Sequence, residues 1–401
     1  MKNKLWMVGI VAMMVAVMTA CSAPTPATTE TPTEAVMTAA PTAAATEAAT
    51  ATQAATEAAT ATEAATAAAS NVKIGVVLDT GGENDKSFNE YTLKGARDAA
   101  TALGLNTAQG SQNFAYVVSQ STSDYGKNIN NFISEGFNMI ITVGFLMGDD
   151  TAKAAVANPN VRFAIIDYSY FPDAKTGGCY SGDTKKNTDC YKDELPNVTS
   201  LMFSEDQVGY LAGVLAGCMT KTNVVATVSG MEIPPVVRYV TGFQTGAKAV
   251  DPSIKTLNTY IPDFNDPATG KQVGQQEIAK NADVIFGVGG NTGNGGLLAA
   301  SEKGLMAIGV DVDQYFTYPE VKGALISSAQ KNMDVAAAGA VKAFAAGNLQ
   351  SGIVLATLAN GGVGLAPFHD WDSKIPQDCK DKVDAAKKGL IDGSITTGYK
   401  P

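Results

Sequence analysis

Short apolar runs recur along the chain from residue 73 onward, each followed by a polar or glycine-rich turn and then by a segment with helical spacing. Lys73-Ile-Gly-Val-Val-Leu78 is the first. Its β-branched residues and the Gly-Gly and Asn-Asp turn behind it predict a buried strand, then a helix from about Ser87 to Leu103. Further strands are expected at Phe114–Gln120, Met139–Gly144 and Arg162–Asp167. A second series follows Asn197, at Val198–Phe203, Asn223–Gly230, Ile254–Ile261, Asp283–Gly289, Met306–Asp311 and Ala324–Ala329. Strands alternating with helices over short connections predict parallel sheets covered on both faces. This many strands exceeds what one lobe of about 150 residues needs. The expected fold is therefore α/β, with two doubly wound, Rossmann-like lobes and a cleft between them.

The first seventy residues do not share this pattern. Lys2 and Lys4 precede uncharged, mostly apolar residues from Leu5 to Ala20, and then comes Cys21. The run is short for a membrane span and has the layout of a secretory leader. Thr19-Ala20-Cys21 has the small residues of a lipoprotein cleavage site, so cleavage before Cys21 and acylation of its sulfur are expected. An ordinary signal peptide or an uncleaved anchor is the alternative. From Ser22 to Ser70, 21 of the 49 residues are Ala and 14 are Thr, with Val36 and Met37 as the only larger apolar side chains. Such a segment buries too little surface to offset its ordering entropy and reads as a disordered tether.

Composition then removes whole classes of function. The net charge is −10 and three residues are arginine (Arg97, Arg162 and Arg238), too few for a phosphate-tracking surface, so no nucleic acid is expected as a partner. His369 is the only histidine, which leaves little for a His-based metal site or a catalytic triad. No metal site, cofactor or enzymatic activity is expected. Cys179, Cys190, Cys218 and Cys379 remain beyond Cys21. In an exported chain an even count suggests disulfides, and a Cys179–Cys190 bridge inside the polar stretch 174–195 is the favoured pairing.

In open parallel sheets, ligands sit where strands end and loops converge. Asp79, Gly144-Phe145, Asp167-Tyr168, Asp263-Phe264-Asn265-Asp266, Gly287-Val-Gly-Gly-Asn-Thr-Gly293 and Asp311-Val-Asp-Gln314 all stand at the ends of predicted strands. One such loop is ordinary turn chemistry; six from two series point to a binding cleft.

Several of these segments carry a specific resemblance. Asp79-Thr-Gly-Gly-Glu-Asn-Asp-Lys-Ser-Phe-Asn89 resembles the opening signature of the basic membrane protein family of ABC-transporter substrate-binding lipoproteins, whose best-understood type is the purine nucleoside receptor. Gly136–Phe145, Phe163–Asp167, Asn197–Phe203, Gly209–Gly213, Gly242–Gly246, Asp283–Phe286, Gly309–Gln314 and Lys331 continue the match in order. The resemblance implies a type I periplasmic-binding-protein fold, its two lobes joined by a hinge that closes on a purine nucleoside. It implies Phe88 and Phe264 as rings clamping the base, Asn84 and Asp167 as readers of the base edge, and Asp311 and Lys331 as the pair facing the ribose hydroxyls. Gly289 and Gly290 would let the backbone approach the sugar, and Asp85 is expected to cap the helix after it. Bland roles stay open for each: helix caps, core packing, a structural ion pair.

The expected organisation is a leader over 1–20 and a lipidated Cys21 with its linker over 21–70. An N-terminal lobe over 71–200 follows, rejoined by about 328–350, and a C-terminal lobe over 201–327 takes part of 351–401. The expected partners are a nucleoside, an ABC permease with its ATPase and the membrane that holds the anchor. A monomer on the extracytoplasmic face is expected. Rival readings are another flat heterocycle such as riboflavin, a ligand-sensing surface receptor, or a nucleoside-cleaving enzyme. If the stretch 174–195 folded over the cleft mouth, it would alter ligand choice.

Overall fold

The computed structural model describes residues 71–400; the leader, Cys21 and the linker lie outside the described residues. β1 (Ile74–Leu78), α1 (Phe88–Ala102), β2 (Phe114–Val118), α2 (Tyr125–Ser134), β3 (Met139–Val143), α3 (Gly148–Ala157), β4 (Arg162–Ile166), the short α4 (Cys190–Asp193) and β5 (Val198–Phe203) form the first series. The second runs α5 (Glu205–Met219), β6 (Val224–Ser229), α6 (Pro234–Val250), β7 (Lys255–Tyr260), α7 (Pro267–Ala279), β8 (Val284–Val288), α8 (Gly290–Glu302), β9 (Met306–Asp311), α9 (Gln314–Thr317) and β10 (Leu325–Lys331). Then come α10 (Met333–Ala345), β11 (Gly352–Ala356), β12 (Val363–Leu365) and α11 (Gln377–Asp392).

Two six-stranded sheets result. The first has the order β11-β5-β4-β3-β1-β2 and the second β12-β10-β9-β8-β6-β7. Every pairing is parallel except β12 on β10. β1, β3, β8 and β9 are buried at every position, which is why they read as continuous apolar runs rather than alternating ones. These are the two doubly wound lobes of a type I binding-protein fold.

α5 and α6 pack unusually closely. A Cβ at Gly213 would lie 2.0 Å from the carbonyl oxygen of Phe243, and one at Gly246 would lie 2.0 Å from that of Tyr210. The Gly209-x-x-x-Gly213 and Gly242-x-x-x-Gly246 spacings are therefore contact faces, where any side chain would push the helices apart.

The chain crosses between the sheets three times. It leaves β5 for α5 at Ser204, leaves β10 for α10 at Asn332, and leaves β11 for β12 through 357–362. α10 packs on α1, so the return to the first lobe runs from about 333 to 356. β10 up to Lys331 belongs wholly to the second sheet, and β11, within the stretch 351–401 of which only an unspecified part was expected in the C-terminal lobe, adds an edge to the first. Hydrogen bonds lace the crossings together: Ser204 N–H to the Ala356 carbonyl at 2.9 Å, and Asn332 N–H to the Gly362 carbonyl at 2.9 Å. Leu358 N–H donates to Gln207 Oε1, also at 2.9 Å.

Cys179 and Cys190 are joined as a disulfide. Asp183 organises the loop between them, accepting from Cys179 N at 2.8 Å, Lys185 N at 2.9 Å and Asn187 Nδ2 at 2.8 Å. Both cysteines pack with Phe163, Tyr170 and Leu195 in the first lobe. Cys218 on α5 and Cys379 on α11 are free thiols. No helix among the described residues is long and apolar enough to cross a membrane.

Candidate functional site

The C-terminal ends of both sheets converge on one cleft, whose empty space, counted out to its open mouth, is about 630 Å³. Phe88, at the first turn of α1, and Phe264, on the loop between β7 and α7, both line it. Each ring is held by small residues. A Cβ on Gly230 would stand 2.5 Å from the Phe264 ring and one on Gly289 would stand 3.2 Å away, so both positions leave room for the ring. Gly144, with φ +128°, lets the chain pass beside Phe88 and Asp79 at a backbone angle that other residues rarely take.

Asp167 lies just past the end of β4 and Asp311 is the last residue of β9, both in the left-handed region at φ 69° and 67°. Non-glycine residues hold such conformations at a cost of order 1–3 kcal/mol, and they collect at functional sites. Lys331, the last residue of β10, stands between them. Its Nζ is 2.5 Å from Asp167 Oδ2 and 3.9 Å from Asp311 Oδ1, the second too long for a hydrogen bond. The ammonium also lies 4.8 Å above the Phe88 ring. Burial works against its charge, but Asp167, Glu205 and Asp311 outweigh that and keep the ammonium protonated above its ordinary range. Burial pushes Asp311 up to about 7, with Lys331 opposing and neighbouring carboxylates adding. Asp167 Oδ1 is buried without a hydrogen-bond partner.

The first-lobe end of the cleft is organised by Asn89. Its amide donates to Asp79 Oδ1 at 2.7 Å and Asp85 Oδ2 at 2.9 Å, and its oxygen accepts from Asp79 N at 3.1 Å. Burial raises Asp79 to about 6 despite the hydrogen bonds from Gly81 and Asn89. Asp85 caps α1 as expected, accepting from Ser87 N at 3.1 Å and Asn89 N at 2.8 Å. The Tyr125 hydroxyl, beside the same cavity, is buried and unpartnered.

The mouth is bridged by the 81–86 loop. Asn291 Nδ2 donates to the Gly81 carbonyl at 3.3 Å, Asn294 Nδ2 to that of Asp85 at 3.1 Å, and Thr317 Oγ1 to that of Lys86 at 2.7 Å. Lys86 also lies over the Tyr318 ring at 5.0 Å. The lobes are thus in a closed arrangement.

Of the expected site residues, the structure brings Phe88, Asp167, Phe264, Gly289, Gly290, Asp311 and Lys331 to one cavity. Asn84 is not among them: it is exposed in the 81–86 loop, because Asp85 and Asn89 turn inward and leave it facing solvent. None of the residues 174–195 lines the cavity; Ser181 N instead bonds Asp149 on α3 at 3.0 Å. Glu205 and Arg238 lie behind Lys331 and were missed in the sequence. The signal for Arg238 was present: one of three arginines, set in the apolar stretch Pro-Pro-Val-Val-Arg-Tyr-Val. Among the described residues no cluster of three or more His, Cys, Asp or Glu side chains is arranged to hold a metal ion.

The sequence profile described as ABC transporter substrate-binding protein, PnrA-like, matches residues 72–397. A curated relative from Lactococcus lactis, "ABC transporter nucleoside-binding protein BmpA", is 31% identical over 82% of this chain and 90% of its own length. An "Uncharacterized lipoprotein" of Pyrococcus horikoshii is 27% identical over 75% of this chain and 69% of its own. The crystal structure of an ABC transporter solute-binding protein from Aeropyrum pernix is 25% identical, covers 81% of this chain and 92% of its own, and superposes with a TM-score of 0.68.

Proposed function

The chain belongs to the Bmp family of PnrA-like ABC transporter substrate-binding proteins, and from that premise we propose that it captures a purine nucleoside between its lobes and delivers it to an ABC permease. One observation carries the reading: phenyl rings from opposite lobes, Phe88 and Phe264, line the same cavity as Asp167, Asp311 and Lys331. Two rings suit a flat base, and stacking contributes about 1–3 kcal/mol per base with little dependence on its identity. Asp79 and the unpartnered Asp167 Oδ1 accept from N–H groups on the base edge. Asp311 accepts from ribose hydroxyls while Lys331 donates to them, and Gly289 and Gly290 let the backbone come close. The mouth contacts from Asn291, Asn294 and Thr317 form only when the lobes meet. A ligand touching both lobes therefore shifts the protein towards the closed form that the permease reads. No bond is made or broken here; ATP is hydrolysed by the partner. Cys21 carries the lipid anchor on the extracytoplasmic face, 22–70 is the tether, and one copy acts alone.

A thermal-shift panel of adenosine, guanosine, inosine and riboflavin tests this. At least one nucleoside raises Tm, and riboflavin does not. Stabilisation by riboflavin with none by the nucleosides overturns the assignment.

A further inference from the structure

Glu205, the first residue of α5, is fully buried and does not line the ligand cavity. Its Oε2 accepts from Arg238 Nε at 2.6 Å and its Oε1 from Lys331 Nζ at 3.4 Å. Arg238, on α6, also lies outside the lining, with its guanidinium 5.8 Å over the Tyr399 ring. Two cations thus serve the three carboxylates Asp167, Glu205 and Asp311. A buried charge pair of this kind is weak evidence for stability, since desolvation consumes most of its Coulomb gain. It therefore calls for another explanation.

The geometry points to Glu205, backed by Arg238, as a positioning residue that fixes the Lys331 ammonium short of Asp311, leaving both groups free for the ligand's hydroxyls. This rests on the nucleoside reading above. The gap of 3.9 Å between Lys331 and Asp311 is the feature that matters. With Glu205 neutral, nothing balances the pull of Asp167 and Asp311, and the ammonium closes onto Asp311. Donor and acceptor then satisfy each other, and a ribose diol must break their contact to bind. With Arg238 gone, Glu205 must draw its compensation from Lys331 alone and pulls the ammonium back, away from the ligand.

Location strengthens the case. Glu205 directly follows one crossing between the lobes and Lys331 directly precedes another, and the crossings are hydrogen-bonded together. Lys331 and Asp311 stand on paired strands of the second sheet and α5 packs on α6 of the same lobe, so Glu205, Lys331 and Asp311 keep their separation when the lobes part, whereas Asp167 leaves with the first sheet. The Glu205 contact therefore holds Lys331 in place while the cleft is open.

The test compares inosine with 2′,3′-dideoxyinosine by calorimetry on wild type and Glu205→Gln. The wild type prefers inosine, and Glu205→Gln shrinks that preference by roughly tenfold, equivalent to about 1.4 kcal/mol. A merely structural role weakens both ligands alike, so an unchanged preference overturns the proposal. Should Glu205→Gln not fold, Arg238→Met gives the same loss and Arg238→Lys restores part of it; no difference between those two overturns it. If wild type binds neither ligand, the nucleoside reading falls by itself. The positioning role is then judged without ligand, from the Lys331 ammonium resonance in ¹⁵N-lysine-labelled protein, identified with Lys331→Met. A resonance displaced by Glu205→Gln supports it, and an unmoved one overturns it.

Discussion

Gly230→Ala tests the proposed base clamp without removing any side chain that lines the cavity. Gly230 follows β6, donates its N–H to the Val288 carbonyl at 2.7 Å, and has no left-handed backbone angle, so alanine fits its conformation. The added Cβ would sit 2.5 Å from Cδ1 and Cε1 of Phe264. Carbon atoms pack at about 3.5–4.0 Å, so the ring must shift by roughly 1 Å out of its stacking position, and a misfit of 0.5–1 Å already forfeits about a quarter to a half of a dispersion contact. Applied to stacking of about 1–3 kcal/mol, that is a loss of about 0.3–1.5 kcal/mol, or roughly two- to twelvefold in Kd. Calorimetric titration with inosine measures it. In a Phe264→Ala background the same substitution has no ring to displace and is neutral, so the double-mutant cycle assigns the effect to the ring. Equal losses in both backgrounds would refute the reasoning, because Gly230 would then act on something other than Phe264.

Phe88→Ala and Asp311→Ala each weaken nucleoside binding by roughly tenfold or more, a loss of at least about 1.4 kcal/mol, whereas Asn84→Ala, in the exposed loop, stays within about twofold of wild type; calorimetry reads all three. Thr317→Val removes the bond to the Lys86 carbonyl and shifts the protein towards the open form. With a net hydrogen-bond contribution of about 0.5–1.5 kcal/mol, its Kd rises roughly two- to twelvefold and its radius of gyration by small-angle scattering increases. Acidity has opposite effects on the free and loaded protein. Asp79, at about 6, and Asp311, at about 7, are raised by burial above ordinary carboxylates, so the folded state binds protons before the unfolded chain does. Stability of the ligand-free protein therefore rises as pH falls from 8 towards 5. Nucleoside affinity falls over the same range, because the protonated groups no longer accept freely. Melting curves with and without inosine at several pH values converge on acidification; parallel curves would contradict the assignment of these carboxylates to the ligand.

Most of the fold was legible because its strands are buried on both faces, and a continuous apolar run bounded by turn residues has few other meanings. All ten expected strands are present, the largest shifts being at their ends, such as Phe114–Val118 in place of Phe114–Gln120. β11 and β12 escaped notice for the opposite reason. β11 is an edge strand with Ile353, Val354 and Leu355 largely exposed, and β12 has three residues, so neither carries the pattern that a buried strand must have. The cavity-lining residues at strand ends, Asp79, Asp167 and Asp311 among them, stood out by position, and the roles given to them came from the family resemblance. Asn84, which the resemblance set at the base edge, is exposed outside the cavity, because in Glu-Asn-Asp-Lys-Ser-Phe-Asn the sequence does not say which side chains turn inward. The answer depends on Asn89 reaching back to both Asp79 and Asp85.

Glu205 and Arg238 show what local reading omits and also bear on ligand charge. Asp79, Asp85, Asp167 and Asp311 line the cavity with Lys331, and Glu205 and Arg238 stand behind it, five carboxylates against two cations. Protonation of the raised acids narrows that excess near neutral pH but supplies no positive charge. Arg238 pairs with Glu205 behind the cavity, and the charge of Lys331 is already balanced by Asp167 and Glu205, so neither brings net positive charge to an incoming phosphate even though Lys331 can still donate to a hydroxyl. A nucleotide would bring at least one further negative charge into a closed site with nothing to neutralise it, at a cost of several kcal/mol for an unpaired buried ion. A nucleoside brings only hydroxyls and ring N–H groups, which the surplus carboxylates accept. Inosine should therefore outcompete inosine 5′-monophosphate by more than about a hundredfold in a competition titration, since even 2.7 kcal/mol of uncompensated charge is about that factor. Comparable affinities would mean that the cleft is not where the ligand binds.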